Sequence, residues 1–202
     1  MNILLTEDTF LTISAPCTGA FREKGSRFLA FAYPVQSTDH IERIIDELKT
    51  QYFDARHHCW AYRLGPQGEH YRTNDDGEPT YTAGKPILGQ LLSRSLTNIL
   101  VVVVRYIGGT KLGVPGLIEA YRCATRQALD QAMVVEKTIE QIICLTFEFA
   151  SINSVMRIIK QYSPTIVEQN FDNQCSMKLS IRCSQHQELQ NKLSAIETVS
   201  LL

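Results

Sequence analysis

The sequence predicts an α+β protein of two domains, residues 1–137 and 138–202. Three observations predict it. After Lys137 the hydrophobic pattern restarts and runs β-α-β-β-α-β, a ferredoxin-like order that about 65 residues suffice to build. Between residues 28 and 64, two strand-like runs flank a helical one. The run from Ile99 to Arg105 is apolar on both faces, as in a central strand covered on both sides.

Taken in order, Phe28 to Val35 is a strand stopped by Pro34. Ser37 can cap a helix in which Ile41, Ile44, Ile45, Leu48 and Tyr52 recur at helical spacing, with Asp39, Glu42, Asp46 and Glu47 on the other face. His57 to Leu64 is a second strand. From Pro66 to Pro86 the chain has three Gly, three Pro and no aliphatic side chain larger than Ala, so it reads as a long loop. Ile87 to Leu92 forms a short helix, with Pro86 suited to its first turn. The buried strand at 99–105 runs into a glycine-rich crossover. A helix from about Pro115 then carries Leu117, Ile118, Tyr121, Ala124, Ala128 and Leu129 inward. In the second domain, Ile139 to Phe149 is a strand and a helix runs from Ser151 to Tyr162. Two strands, Pro164 to Phe171 and Cys175 to Cys183, join near Asp172-Asn173; a helix over Gln185 to Ser194 and a strand over Thr198 to Leu202 complete the pattern.

Composition narrows the function. Twenty Lys and Arg against 21 Asp and Glu leave a net charge of −1, divided 15 against 15 in the first domain and 5 against 6 in the second. Neither domain is a polycation, so a nucleic-acid partner requires a local basic patch. The longest aliphatic run, Ile99 to Val104, falls far short of the ~20 residues of a membrane helix. The first ten residues lack a basic segment and include Glu7 and Asp8, which argues against a signal peptide and for a cytoplasmic protein. The six cysteines form no Cys-x-x-Cys. Cys175 and Cys183, on one predicted strand, stand roughly 26 Å apart, and structural thiols are the expectation.

Chemistry concentrates in four segments. In Arg56-His57-His58-Cys59, adjacent strand histidines point to opposite faces and do not readily chelate one metal. Arg56 suits an anion because it keeps its charge. His57 and Cys59 share a face, as a thiol–imidazole pair or as core residues. Asp75, Asp76 and Glu78 supply general-base or Mg²⁺ chemistry, or build an Asx-type turn; no Glu closes a calcium loop. Gly84 and Lys85 stand at a helix entrance that favours anions, though Pro86 removes one donor. In Arg105-Tyr106-Ile107-Gly108-Gly109-Thr110-Lys111-Leu112-Gly113, the glycines serve a phosphate's close approach or simply a tight crossover, while Arg105, Lys111 and Tyr106 offer charge and a stacking face.

These residues resemble the IMPACT family (YigZ type). The resemblance rests on Lys24-Gly25-Ser26-Arg27-Phe28, Asp54-Ala55-Arg56-His57-His58-Cys59-Trp60-Ala61, Asp75-Asp76-Gly77-Glu78-Pro79, Thr82-Ala83-Gly84-Lys85-Pro86-Ile87-Leu88, and Val102-Val103-Val104-Arg105-Tyr106 with Gly108-Gly109 and Leu112-Gly113. It spans roughly residues 20 to 130; Ile107 stands where the family pattern has a second aromatic. The resemblance implies an N-terminal α/β sandwich like domain IV of elongation factor G and a tail like domain V of that factor. It also implies translation control through protein partners in eukaryotic members, and no catalytic residues to carry over.

The expectation is a non-catalytic RNA- or ribosome-binding protein that regulates translation, with no cofactor, no metal and no membrane. Its ligand-binding cluster is Arg56, His57, His58, Asp75, Asp76, Glu78, Gly84, Lys85, Arg105, Tyr106, Gly108, Gly109, Lys111 and Gly113. Two alternatives stand beside it. One is a metal- or phosphate-dependent hydrolase using His57 or His58 and the acids at 75–78. The other is a protein–protein adaptor docking a partner on an exposed sheet edge. The enzyme reading lacks a Gly-x-Ser-x-Gly, a His-Glu-x-x-His and a Walker A loop.

Overall fold

A computed structural model describes residues 8–172 and 174–202. Glu7 and Asn173, which entered the reading of the N-terminus and of a strand connection, lie outside the described residues. The described chain is a mixed α/β structure with three sheets and five α-helices. It divides into two compact units: Phe10–Lys137, and Asp8 and Thr9 together with Thr138–Leu202.

The first unit contains most of β1 (Thr9–Ile13), then β2 (Cys17–Glu23), β3 (Ser26–Pro34), α1 (Thr38–Gln51), β4 (His57–Leu64), β5 (His70–Asn74), α2 (Gly84–Ser93), β6 (Ile99–Tyr106), α3 (Gly113–Asp130) and most of β7 (Val134–Thr138). Its main sheet has strand order β2-β3-β6-β4-β5, with all neighbours antiparallel. β1 and β7 pair in a separate two-stranded sheet. Alternation along the central β6 divides its side chains between two cores. Ile99, Val101 and Val103 face a cluster with Ile87, Leu91, Leu117, Tyr121 and Ala124 of α2 and α3. Leu100, Val102 and Val104 face Ile41, Ile44, Ile45 and Leu48 of α1. Each fully buried aliphatic side chain contributes about 1.5–3 kcal/mol, which accounts for the unbroken apolar run of β6. Ser37 caps α1, its side chain accepting from the His40 N–H at 3.3 Å.

The second unit contains β8 (Glu140–Phe147), a 3₁₀ turn (Phe149–Ser151), α4 (Ile152–Tyr162), β9 (Thr165–Phe171), β10 (Cys175–Arg182), α5 (Cys183–Ser194) and β11 (Ser200–Leu201). Its sheet order is β11-β8-β10-β9, antiparallel throughout, so each helix links two strands that a third separates. Ile143, Leu145, Phe147, Met177, Leu179 and Ile181 pack with Val155 and Ile159 of α4 and Leu189 and Leu193 of α5.

Several expectations change. Residues 66–86 are not one loop: β5 pairs along the β4 edge, with a short turn at 66–69 before it and the irregular segment 75–83 after it. β5 carried no apolar signal because it is an edge strand whose residues are all exposed or half-buried. β1, β2 and β7 were also unforeseen, being short or only half-buried on one side. α2 begins at Gly84, three residues earlier than expected, with Pro86 inside its first turn. Cys183 opens α5 and does not end a strand with Cys175; all six cysteines are free thiols. Asp8 and Thr9, expected in the first domain, belong to the second unit, where the Asp8 carboxylate accepts from the Ser184 N–H at 2.7 Å and from the Ser184 hydroxyl.

Candidate functional site

In register, His57 of β4 lies opposite Arg105 of β6, and the 75–83 segment folds over that end of the sheet. Asp75 organises the segment: Oδ1 accepts from the Ala83 and Gly84 N–H groups at 3.0 and 2.8 Å, and Oδ2 from the Tyr81 N–H at 2.8 Å. The chain reverses through left-handed Asp76 and Gly77, at φ 41° and 83°, helped by a 2.6 Å bond from the Asp76 N–H to Asn74 Oδ1. Asp76 Oδ2 accepts from the His58 N–H at 2.7 Å, and the Asp76 carbonyl lies 2.7 Å from His57 Nδ1. The turn delivers Glu78 inward. Its Oε1 accepts from Arg105 Nη1 at 2.5 Å and from the Tyr121 hydroxyl at 2.8 Å, with His57 Nε2 3.9 Å away. The single Cys59 S–H has two acceptors in reach, the Asp75 carbonyl at 3.0 Å and the Tyr121 oxygen at 3.2 Å. Burial pushes the Cys59 thiol and the Tyr121 phenol far up, so both stay protonated and neither is an activated nucleophile.

A second junction lies where the β2–β3 turn meets the crossover after β6. A side chain on Gly108 would place its Cβ 2.3 Å from the Gly25 carbonyl oxygen, and one on Gly109 2.4 Å from the Lys24 carbonyl oxygen. The Ser26 hydroxyl donates to the Gly108 carbonyl at 3.2 Å, and the Thr110 N–H to the Lys24 carbonyl at 3.3 Å. The Gly-Gly pair is therefore needed for backbone contact between two loops. Two clefts open nearby. One, of about 490 Å³, is lined by Arg22, Glu23, Lys24, Arg27 and Tyr106 among others. The Arg27 guanidinium stacks 4.7 Å over the Tyr106 ring, whose hydroxyl donates to Asp54 Oδ1 at 2.8 Å. That bond to Asp54 holds the Tyr106 phenol above its ordinary range. The other cleft, of about 380 Å³, is lined by Glu78, Arg105, Lys111, Gly113, Val114 and Leu117 with their neighbours.

Residues 24–129, the span containing both junctions and most of both clefts, match the Impact N-terminal domain. The chain is also 30% identical over 196 residues to the IMPACT family member YigZ of Escherichia coli, covering 96% of each chain. This chain belongs to the IMPACT family. It is 34% identical over 136 residues to the IMPACT family member YvyE of Bacillus subtilis, covering 67% of this chain and 63% of that one. A crystal structure of a hypothetical protein matches it at TM-score 0.74 and 29% identity, over 98% of each chain.

In this IMPACT-family fold the expected site residues do not form one surface. His57, Glu78 and Arg105 come together in a buried cluster bordered by half-buried Asp76, and Glu78 and Arg105 reach one cleft with Gly109, Lys111 and Gly113. Tyr106 lines the other cleft. His58 is buried; its next neighbours on the same strand face, Trp60 and Tyr62, pack in the α1 core. Burial there holds its pKa below the ordinary value, against the opposing pull of Asp76. Lys85 is exposed, with its ammonium 3.5 Å over the Tyr81 ring. Arg56 is exposed, and its N–H donates to the Arg105 carbonyl at 3.2 Å. Gly84 serves the Asp75 cap. Among the described residues, no group of three or more His, Cys, Asp or Glu is placed to hold a metal.

Tyr121, which helical spacing places on the inner face of α3, and Cys59, which the sequence leaves between a thiol–imidazole pair and the core, both belong to the cluster. A phenol on an otherwise apolar helix face was the available signal, because a buried tyrosine hydroxyl needs a partner. Arg22, Lys24 and Arg27 of the larger cleft emerge only once β2 is known to pair with β3.

Proposed function

We propose that this protein is a non-catalytic RNA- or ribosome-binding member of the IMPACT family that regulates translation, with a first unit like domain IV of elongation factor G and a ferredoxin-like second unit like domain V. The observation that carries the reading is the cleft in which Arg22, Lys24 and Arg27 gather beside the Tyr106 ring. Three cations on one hairpin provide phosphate contacts without a basic chain overall, and an aromatic face beside them suits an unpaired base. The second unit supports the reading through its strand order, β11-β8-β10-β9, with helices linking alternate strands.

The hydrolase alternative loses support from the way the acids are used. Asp75 is taken up by three backbone amides, Asp76 by the His58 N–H, and Glu78 by Arg105 and Tyr121. The adaptor alternative keeps one specific feature: all seven residues of edge strand β9 are exposed.

The test is co-sedimentation with ribosomes and with free ribosomal RNA across a salt series, comparing wild type with Lys24→Ala/Arg27→Ala. Wild-type binding should weaken with salt, and the double variant should flatten the dependence of log K on log salt by about 1.5. Absence of wild-type binding at low salt overturns the proposal. Arg105 is unsuited to this test, since its guanidinium is buried against Glu78.

A further inference from the structure

We infer that β9, the free edge of the second unit's sheet, pairs with β9 of a second copy of this chain in a two-fold antiparallel ladder centred on Gln169. The inference is independent of the RNA reading, and it makes a second copy the occupant of this edge. Three observations converge on it. First, β9 is an edge without the usual guards. It ends the order β11-β8-β10-β9, and all seven of its residues are exposed. A strand edge presents a row of open N–H and C=O groups, which proteins commonly guard with charges or proline, or keep short. β9 has one charged side chain, Glu168, and no proline. The opposite edge strand, β11, has only two residues. In the first unit, edge strand β5 carries His70 and Arg72, and edge strand β2 carries Arg22 and Glu23. Ile166, Val167 and Phe171 of β9 remain more than a third exposed.

Second, symmetry leaves few registers. Two identical edges join antiparallel about a two-fold axis perpendicular to the sheet, so one residue of β9 must face its own copy. A slip of one residue would oppose side chains from different faces. Glu168 lies opposite Lys178 of β10, whereas Gln169 lies opposite core residue Met177, on the other face. An axis at Glu168 brings two carboxylates face to face. An axis at Asn170 opposes Glu168 to Asp172 of the second copy. An axis at Val167 falls on the irregularity where the β9–β10 register shifts. Positions nearer either end of the strand leave a shorter ladder.

Third, the register centred on Gln169 is complementary at every step over residues 167–171. Gln169 meets Gln169, two side-chain amides that each donate and accept. Glu168 meets Asn170, an acceptor against an amide donor, and both lie on the face of Lys178 and Ser176. The ion pair of Glu168 with Lys178 uses Oε1 at 3.5 Å, and the Glu168 side chain is 72% exposed, so it has capacity for a further donor. Val167 meets Phe171, with Ile166 next along the strand. The two-fold repeats the last two pairings, and no like charges oppose each other. This self-complementarity is what selects a second copy over an unrelated strand. A ladder this short gives a weak dimer, governed by concentration.

The test is sedimentation equilibrium of the full chain over a concentration series, comparing wild type with Gln169→Lys and Gln169→Glu. Wild type should pass from monomer to dimer as concentration rises, and the NMR signals of the amides of residues 167–171 should shift in step. Each variant sets like charges face to face at the axis, so its dimer Kd should rise about tenfold. Tm should hold, because Gln169 is exposed. An equimolar mixture of the two variants sets opposite charges there and should restore association to at least the wild-type level. Three results would each overturn the assignment: a wild type that stays monomeric up to millimolar concentration, a dimer that Gln169→Lys leaves as tight as wild type, or a mixture no tighter than either variant alone.

Discussion

Glu78 accepts two hydrogen bonds at one oxygen, and its side chain retains 3% of its exposure against 8% for Arg105. In such a setting the cost of breaking the pair exceeds the net worth of having it, because the survivor is a desolvated charge. Arg105→Met should therefore lose about 3–5 kcal/mol in urea unfolding. The double variant Arg105→Met/Glu78→Leu should recover a large part of that loss. Strictly additive losses would show that the two residues are not coupled. His58 behaves differently, since burial holds its pKa down while Asp76 opposes the shift and Lys49 and His57 add to it. The unfolded chain takes up the proton near the ordinary value of about 6.5 while the folded chain resists it. The contribution to stability is thus complete above that pH and declines as the pH falls below it toward the folded-state pKa. Between pH 7.5 and 5, wild type should lose more stability than His58→Gln; parallel curves would remove His58 as the cause.

At the scale of elements, the 75–83 segment is held less by apolar packing than by one carboxylate. Asp75 joins the end of β5 to the start of α2 through bonds to Tyr81, Ala83 and Gly84, and α2 has no side-chain cap from its own N-cap residue, Ala83. Asp75→Ala should cost about 2 kcal/mol and raise hydrogen exchange at the Tyr81, Ala83 and Gly84 amides. Unchanged exchange there would mean that the segment is held by other contacts. This arrangement shows which parts of the fold were readable in sequence. α1 and β6 declare themselves because burial on one face or on both imposes a period that side chains must follow. β5 has no such period: it is an edge strand whose pairing partner alone makes it a strand. The site was legible as a set of residue types but not as a geometry. As residue types Asp75 and Asp76 suit a turn better than a metal, and only the three-dimensional path shows their oxygens bonded to backbone amides. For Gly108 and Gly109, the close approach is to the Lys24–Gly25 turn, more than 80 residues earlier.

At the scale of the whole chain, the second unit is not continuous in sequence. Asp8 precedes the entire first unit, yet its carboxylate receives the N–H and hydroxyl of Ser184 in the first turn of α5. Its carbonyl accepts from the Ile139 N–H, just before β8 begins. α5 has Arg182 at its N-cap, no side-chain cap hydrogen bond and no acid of its own in the first turn, so Asp8 supplies from a distance what a local Ser or Asp would supply. Asp8→Ala in the full chain should destabilise the second unit by about 1 kcal/mol. Amide protection should fall in α5 and along β8, and remain unchanged for the core amides of β6. A loss spread equally over both units would instead mean that the two unfold as one cooperative body. A fragment beginning at Thr138 keeps every strand of the β11-β8-β10-β9 sheet but lacks the α5 cap. It should melt below the corresponding unit of the intact protein and be stabilised when Ser184→Asp places an acid at the helix start. Failure of that substitution to raise its Tm would show that Asp8 contributes through its backbone bond to Ile139, and not through the helix end.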